Sequence, residues 1–420
     1  MTTRQLVTEI NDWLMDQALS ETDMVSLFEG LCRRLYAIGI PITRARLMWP
    51  TLHPLFQAET ILWANGSATE FEQFQHQDVE SPEWLASPMK YMFDNEMTML
   101  RRPLEGPERL IDFPILQELV AQGMTDYIAA YTSLAMNPQN GRKTKLGIIV
   151  TWASNQPGGF SDESLEAMER IQRRFAVACK TVIQARIAKN ITVTYLGKDA
   201  GAQVLAGSIR RGDGSETEAV VWYNDLRNST ALADTMAGAD FIQLLNTYFD
   251  CTASPVIEAG GEVLDFIGDG VLAIFPYRDE AGRAAAITAA TVALRHVLEG
   301  RDRLNAARME EGLFPLRFGI GLNIGKVMFG NIGVQQRLTF SVIGPTVNEV
   351  CRIESLTKAT GTDALVTGTI ASLNPECWQS IGRQRLNGVA QEIELFAPAS
   401  SILAPAIEID AIRAPTPAKN

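Results

Sequence analysis

Near the N-terminus apolar residues fall on four-residue steps, Ile10 with Leu14 and Leu27 with Leu31, and this spacing predicts helices within 5–38. The period then shortens. Ala45–Leu52 and Glu59–Ala64 read as extended stretches, the second closing on the turn dipeptide Asn65-Gly66. Asp126–Ala135 and Lys145–Trp152 read as paired strands around the polar loop Asn137–Lys143, and Gly158-Gly159 ends the region. Helices, a mixed sheet and a closing helix predict a small α+β domain over 1–160.

A long helix is predicted from Ser161, whose hydroxyl caps it ahead of Asp162 and Glu163 in the first turn. Leu165, Met168, Phe175, Val182 and Ala185 lie close to a heptad stripe, so 161–194 reads as a domain-closing helix or as a dimeric signalling helix. A connector over 195–215 carries the basic turn Arg210-Arg211-Gly212-Asp213-Gly214. The second domain is predicted over 216–400. Its order is strand (Ala219–Asp225), helix (Thr230–Ala259), hairpin (Glu262–Phe275) and helix (Glu280–Met309). Three strands (Leu316–Asn323, Val327–Gly330, Leu338–Ile343) and a helix (Pro345–Thr357) follow. Residues 401–420, rich in Ala and Pro, read as a loosely held tail.

Charge and cysteine usage narrow the partners. With 37 Lys+Arg against 49 Asp+Glu the net charge is −12, which counts against nucleic acid or an anionic membrane as partner. The 5 cysteines include no C-x-x-C pair and read as reduced thiols, not as a disulfide frame or zinc site. The N-terminus lacks a signal-peptide core. The longest apolar run, Ala284–Leu298, is interrupted by Arg295 and His296, so no membrane span is expected and the reading is a cytoplasmic protein.

Two carboxylates stand out by position. Asp225 ends the apolar strand in VVWYNDLRNST, and Asp269 sits in the tight turn of GGEVLDFIGDGVLAIF. A βαββ order brings both acids to one sheet edge, where hard oxygen ligands suit Mg²⁺ or Mn²⁺ with a nucleotide triphosphate. Either acid alone would read as a helix cap or a turn residue. Further on, Gly344-Pro345 opens a helix on which Asn348 and Arg352 stand four residues apart, on one face.

These blocks, with GNIG, RLTFSVIGPTVNEVCRIES and LNGVAQEIELF, resemble the class III nucleotidyl cyclases over about residues 195–398. The resemblance implies a ferredoxin-like βαββαβ sheet working as a head-to-tail homodimer with composite sites at the interface. It implies that Asp225, Asp269 and the backbone carbonyl of Leu226 hold two Mg²⁺ or Mn²⁺ ions. It also implies that the turn Leu226–Thr230, with Asn228, Ser229 and Thr230, wraps the phosphates, that Asn348 positions the ribose, and that Arg352 stabilises charge on the transferring phosphorus. The first domain's order and its GFSDESLE segment resemble a GAF-type ligand-binding domain, which implies an unknown small-molecule or protein regulator.

Two departures from the family pattern bear on the substrate. Asp265 stands where adenylate cyclases place a base-reading lysine, and Ser341 stands at its partner position. A carboxylate accepts the adenine amine while serine donates to N1, and it equally suits the N1–H and N2–H₂ edge of guanine. Asn387 replaces the basic residue expected to hold the triphosphate, leaving Arg383, Arg385 or Lys326 as substitutes. The reading is conversion of ATP to cyclic AMP and pyrophosphate. Its alternatives are GTP to cyclic GMP, or a catalytically silent dimeric nucleotide-binding module.

Overall fold

The computed structural model describes residues 3–76, 81–134, 147–389 and 391–403, and divides into two units, Met1–Thr194 and Tyr195–Asn420. The loop Asn137–Lys143, Lys145 and the tail beyond 403 lie outside the described residues. In the first unit α1 (Thr3–Leu19) and α2 (Met24–Ala37) precede β1 (Arg44–Pro50), β2 (Phe56–Ala64) and β3 (Glu70–Gln75). Three short helices, α3 (Pro82–Leu85), α4 (Pro88–Asp94) and α5 (Pro114–Ala121), flank β4 (Met99–Pro103). Then come β5 (Asp126–Ser133), β6 (Gly147–Ser154) and α6 (Asp162–Leu196).

The strands form an antiparallel sheet in the order β3-β2-β1-β6-β5-β4. One face packs Leu47, Trp49, Trp63 and Trp152 against Leu27 and Leu31 of α2 and Phe175 of α6. The other packs Tyr127 and Ala129 against Met92, Leu116 and Leu119 from the short-helix segment. Each of those short helices opens on a proline, Pro82, Pro88 or Pro114, whose missing N–H costs nothing in a first turn.

Ser161 caps α6, accepting from the Ser164 N–H at 3.3 Å. Met168, Ile171, Phe175, Cys179 and Ile183 of α6 are buried in the first unit's own core, while Ala185 of the heptad stripe is exposed. As far as Ile183, then, the helix closes its own domain.

The second unit begins at the end of α6 with α7 (Lys198–Leu205), which the sequence reading treated as connector. The Glu262 carboxylate accepts from the Asp199 and Ala200 N–H groups at its start, at 3.0 and 3.2 Å. Next come β7 (Gly214–Leu226), α8 (Ser229–Thr235), α9 (Gly238–Thr252), α10 (Ser254–Glu258), β8 (Glu262–Ile267), β9 (Gly270–Tyr277) and α11 (Glu280–Glu310). The chain continues through β10 (Phe318–Val334), β11 (Arg337–Ile343), α12 (Pro345–Thr360), β12 (Ala364–Thr367), α13 (Gly368–Ala371), β13 (Trp378–Gln384) and β14 (Ile393–Pro398).

Two boundaries differ from expectation. The single helix expected over Thr230–Ala259 is three, broken where Met236 and Ala237 turn extended ahead of Gly238, and again ahead of Pro255, which cannot donate to a continuing helix. The strands expected over Leu316–Asn323 and Val327–Gly330 are one, because Ile324, Gly325 and Lys326 keep their register with β7.

The second sheet runs β13-β14-β12-β10-β7-β9-β8, with β11 paired to β10. Its stretch β10-β7-β9-β8 carries the expected βαββαβ core, with α9 and α11 packed through Trp222, Tyr248, Leu294 and Phe318 on one face. On the other, α12 lies almost on the strand backbone. A Cβ added at Gly321 would stand 2.6 Å from the Val350 carbonyl oxygen, so only glycine admits the helix there. That close approach positions the site.

Candidate active site

Register sets the first carboxylate. Asp225 stands opposite Gly319 on β10, two residues from Tyr223, and strand alternation points both toward α12. Their neighbours Trp222 and Asn224 point the other way: Trp222 Nε1 donates to Asn224 Oδ1 at 2.6 Å, and Asn224 Nδ2 donates to the Tyr248 hydroxyl at 2.5 Å. This buried chain pins the end of β7 to α9. Asp269 occupies the turn between β8 and β9, after Gly268, whose φ of +66° lies in the left-handed region. The Tyr223 hydroxyl lies against Gly270, where an added Cβ would stand 2.6 Å from it, so the turn is seated on β7.

The two acids interact directly. Burial first, then the Asp269 charge and a hydrogen bond to it, push the Asp225 carboxyl up to about 6, against the pull of Arg227. Asp269 Oδ2 is buried and meets no hydrogen-bond donor among the described residues. A third carboxylate stands near. Glu354 of α12, 3% exposed, is raised to about 7 by burial, with Arg227 opposing and Asp225 and Asp269 adding to the rise. Its Oε1 lies 3.1 Å from Arg227 Nη1, an ion pair without hydrogen-bond alignment, and Arg227 also donates to Thr357 Oγ1.

Three carboxylates share one guanidinium here, and two buried carboxylate oxygens, Asp269 Oδ2 and Glu354 Oε1, have no hydrogen-bond donor among the described residues. A divalent cation answers that imbalance, and hard oxygen donors fit Mg²⁺ or Mn²⁺. Among the described residues no three His, Cys, Asp or Glu side chains group closely enough to hold a metal ion by themselves.

Asn348 and Arg352 lie elsewhere on α12. Asn348 is exposed and Arg352 half-buried, while Val350, Glu354 and Thr357 form the buried face toward the sheet. The charges acting on Asp225 are Asp269 and Arg227. Glu354, two residues beyond Arg352 on the same helix, pairs with Arg227. The Arg352 guanidinium instead lies against the 387–388 turn, its Nη2 3.5 Å from where a Gly388 Cβ would be. Of the cations weighed as substitutes for Asn387, Lys326 is paired with Glu216 at 2.8 Å, and Arg383 and Arg385 are exposed.

Asp265 and Ser341 are both half-buried, the former beside a register shift between Val263 and Asp265 that turns this part of β8. Asn228 adopts a left-handed conformation, φ +60°, ahead of α8, and no side chain caps that helix. Ser229 and Thr230 follow in its first turn. Sequence reasoning missed Arg227, Tyr223 and Glu354. A signal existed for the last: it shares the core-facing spacing of Val350 and Thr357 on α12.

Residues 214–390 match the family model of the adenylate and guanylate cyclase catalytic domain. An adenylate cyclase of Anabaena cylindrica is 30% identical over 173 residues, covering 41% of this chain and 34% of that enzyme. Adenylate cyclase 1 of Rhizobium meliloti is 24% identical over 183 residues, covering 43% and 27%. This chain thus spans about a third or less of the length of those two relatives. Among solved structures, the guanylyl cyclase Cya2 is 26% identical, with a TM-score of 0.38 over 44% of this chain and 93% of that one. The adenylyl cyclase CyaB from P. aeruginosa is 21% identical, with a TM-score of 0.39 over 45% and 96%. Among the described residues no helix is long and apolar enough to cross a membrane. Residues 214–390 are a member of the adenylate and guanylate cyclase catalytic domain family.

Proposed function

We propose that this domain converts ATP to 3′,5′-cyclic AMP and pyrophosphate as a head-to-tail homodimer, with GTP to cyclic GMP as the alternative, under control of the N-terminal unit. The observation that carries the reading is the half-buried Asp225–Asp269 pair, with the inaccessible Asp269 Oδ2 unanswered among the described residues. Asp225, Asp269 and the Leu226 carbonyl would hold the divalent ions. Bound there, the ions supply positive charge that makes the ribose 3′ hydroxyl more acidic and neutralises the phosphates.

The chain's own residues do the rest. The 3′ hydroxyl gives its proton to solvent water, its oxygen forms a bond to the α-phosphorus in line, and the bond from that phosphorus to pyrophosphate breaks. Negative charge builds on the equatorial oxygens, and the Arg352 guanidinium stabilises it. Asn348, four residues earlier on the same helix, holds the ribose. As the cyclase resemblance implies, a second chain would supply both residues, and twofold symmetry would then make two equivalent sites. Backbone N–H groups of Asn228, Ser229 and Thr230 wrap the triphosphate. Asp265 accepts the adenine amine while Ser341 donates to N1.

Product analysis with ATP and GTP, each with Mg²⁺ and Mn²⁺, tests the reading: cyclic AMP is expected in excess, and no cyclic nucleotide from either substrate would refute it. Co-expressed Asp225→Ala and Arg352→Ala chains test the interface. Each is inactive alone, and random pairing leaves about half the dimers with one intact site, so activity should recover to about a quarter of wild type. Silent mixed dimers would remove the composite site.

A further inference from the structure

The second face of the N-terminal sheet holds an arrangement that the catalytic chemistry does not use. Register places Arg44 of β1 between Ala64 and Ala153, and Arg46 between Leu62 and Thr151. One strand further, Tyr127 stands opposite Ala153. Alternation along β1 sends Ala45, Leu47 and Trp49 into the helical core, so both arginines stand on the other face. On a sheet with a free face that is the ordinary place for arginine. Here α3, α4 and α5 roof that face, and a cavity of about 600 Å³ lies beneath them.

Two arginines and two glutamates line the cavity, and only the arginines are partly withdrawn from solvent. Arg44 is half-buried and makes no ion pair or hydrogen bond with any described residue. Burial and then the neighbouring Arg46 charge lower its pKa, with Glu118, Tyr127 and Glu70 opposing. Among the described residues the Arg46 guanidinium pairs only with Glu72, at 3.6 Å and half exposed. The two acids that line the cavity, Glu83 and Glu118, are themselves exposed. In line with Arg44 across β6 stands the buried Tyr127, which feels both guanidinium charges. The N-terminus of α5 also opens here, and its cap residue Phe113 offers no side-chain acceptor.

We propose that this cavity binds a small organic oxyanion, a carboxylate or a phosphate ester, carried on an apolar body. The guanidinium forks of Arg44 and Arg46 take the oxyanion, since planar donors match carboxylate and phosphate oxygens. The body lies against Leu62, Met89, Ile115 and Leu119, and the volume suits a molecule the size of a typical small-molecule ligand. No residue of the C-terminal unit enters this argument, so it stands or falls apart from the cyclase reading.

The test is isothermal titration calorimetry on the full chain with 1-naphthoate, 1-naphthyl phosphate and neutral 1-naphthol. At least one anion should bind and the naphthol should not; the stronger of the two anions tells a carboxylate site from a phosphate site. Arg44→Met should weaken anion binding at least tenfold while leaving the ligand-free melting temperature no lower, because it removes a cation that has no partner. Arg46→Met should also weaken binding, and it carries the test if Arg44→Met does not fold. No binding of either anion, equal binding of naphthol, or anion binding retained in both variants would overturn the proposal.

Discussion

Each unit buries a carboxylate against its sheet, and the two are treated oppositely. In the first unit Asp126 is 1% exposed and fully answered. Arg101 grips it through Nη2 at 2.7 Å and Nε at 3.1 Å, and the Phe160 N–H donates to the same Oδ2 at 3.1 Å. Gly159, at φ +70°, leaves room where a Cβ would run into that carboxylate. Asp126 is a rivet holding β5 to β4 and to the start of α6. In the second unit Asp225 and Asp269 face each other, and Asp269 Oδ2 has no donor among the described residues. Burial alone therefore does not mark a site. An unanswered buried charge does, because its desolvation cost persists only where something outside the chain offsets it.

The largest effect should come from breaking the unanswered pair. Asp225→Asn and Asp269→Asn are each expected to lower turnover by about 10² to 10³, the scale on which removing one charge-stabilising group acts. Neither should lower the metal-free melting temperature, since each relieves repulsion between two half-buried acids. Cyclic-nucleotide assays alongside thermal melts check both halves, and near-normal turnover in both variants would remove the site assignment.

Asp126→Asn should do the reverse: activity chemistry untouched, stability lost. Removing one member of a buried ion pair strands the other, and because Arg101 keeps 35% side-chain exposure the loss is put at about 2 to 3 kcal/mol, below the full cost of a sealed pair. Five of the seven tryptophans (Trp13, Trp49, Trp63, Trp84, Trp152) lie in the first unit, so urea unfolding followed by tryptophan fluorescence reads that unit preferentially. An unchanged unfolding midpoint would mean that the rivet carries no load.

The acid pair was legible in the sequence and the rivet was not, for a physical reason. Asp225 ends an apolar strand and Asp269 sits between glycines in a hairpin, so local pattern announces them, and the βαββαβ order places them at one edge. Asn348 and Arg352 were likewise legible from a helix opened by Pro345. Asp126 owes its role to Arg101, 25 residues away on a strand whose pattern is weak, and to a backbone N–H 34 residues on. Arg227 and Glu354 escaped in the same way, being 127 positions apart and joined only because glycines of β10 let α12 descend. Nothing in the sequence marks Arg44 and Arg46 as covered, since the roof above them is built of helices of 4 to 8 residues, too short to show a helical period. Sequence pattern records what neighbours along the chain do; it is nearly silent on what the second layer covers.

A smaller effect concerns the base. Asp265→Lys should raise the ATP-to-GTP ratio of kcat/KM by about tenfold, because an ammonium donates to adenine N1 and meets only donors on the guanine N1–H and N2–H₂ edge. The ratio, not either rate, is the readout, since the substitution also changes local charge. A constant ratio would mean that residue 265 does not read the base, and Ser341→Ala would then be expected to leave the ratio unchanged as well.

The smallest effect is on pH dependence, and it sharpens the contrast between answered and unanswered acids. Burial raises Asp225 from 3.8 to about 6 and Glu354 from 4.5 to about 7, each reinforced by its acidic neighbours and opposed by Arg227. A carboxyl whose pKa is raised by folding holds its proton more tightly in the folded state. Protonation therefore favours the fold at low pH. That advantage is lost as pH climbs from about 4 to 7, because the unfolded chain ionises first. The metal-free second unit should accordingly melt lower at pH 7.5 than at pH 5.5, and Asp225→Asn should flatten that slope by removing one of the two contributors. Mg²⁺ should stabilise more at pH 7.5 than at pH 5.5, since it competes with protons for the same oxygens. Melts in EDTA and in Mg²⁺ at the two pH values check both statements. A slope identical in wild type and Asp225→Asn would mean that Asp225 meets the same surroundings folded and unfolded, and the unanswered charge would have to lie on Asp269 and Glu354 alone.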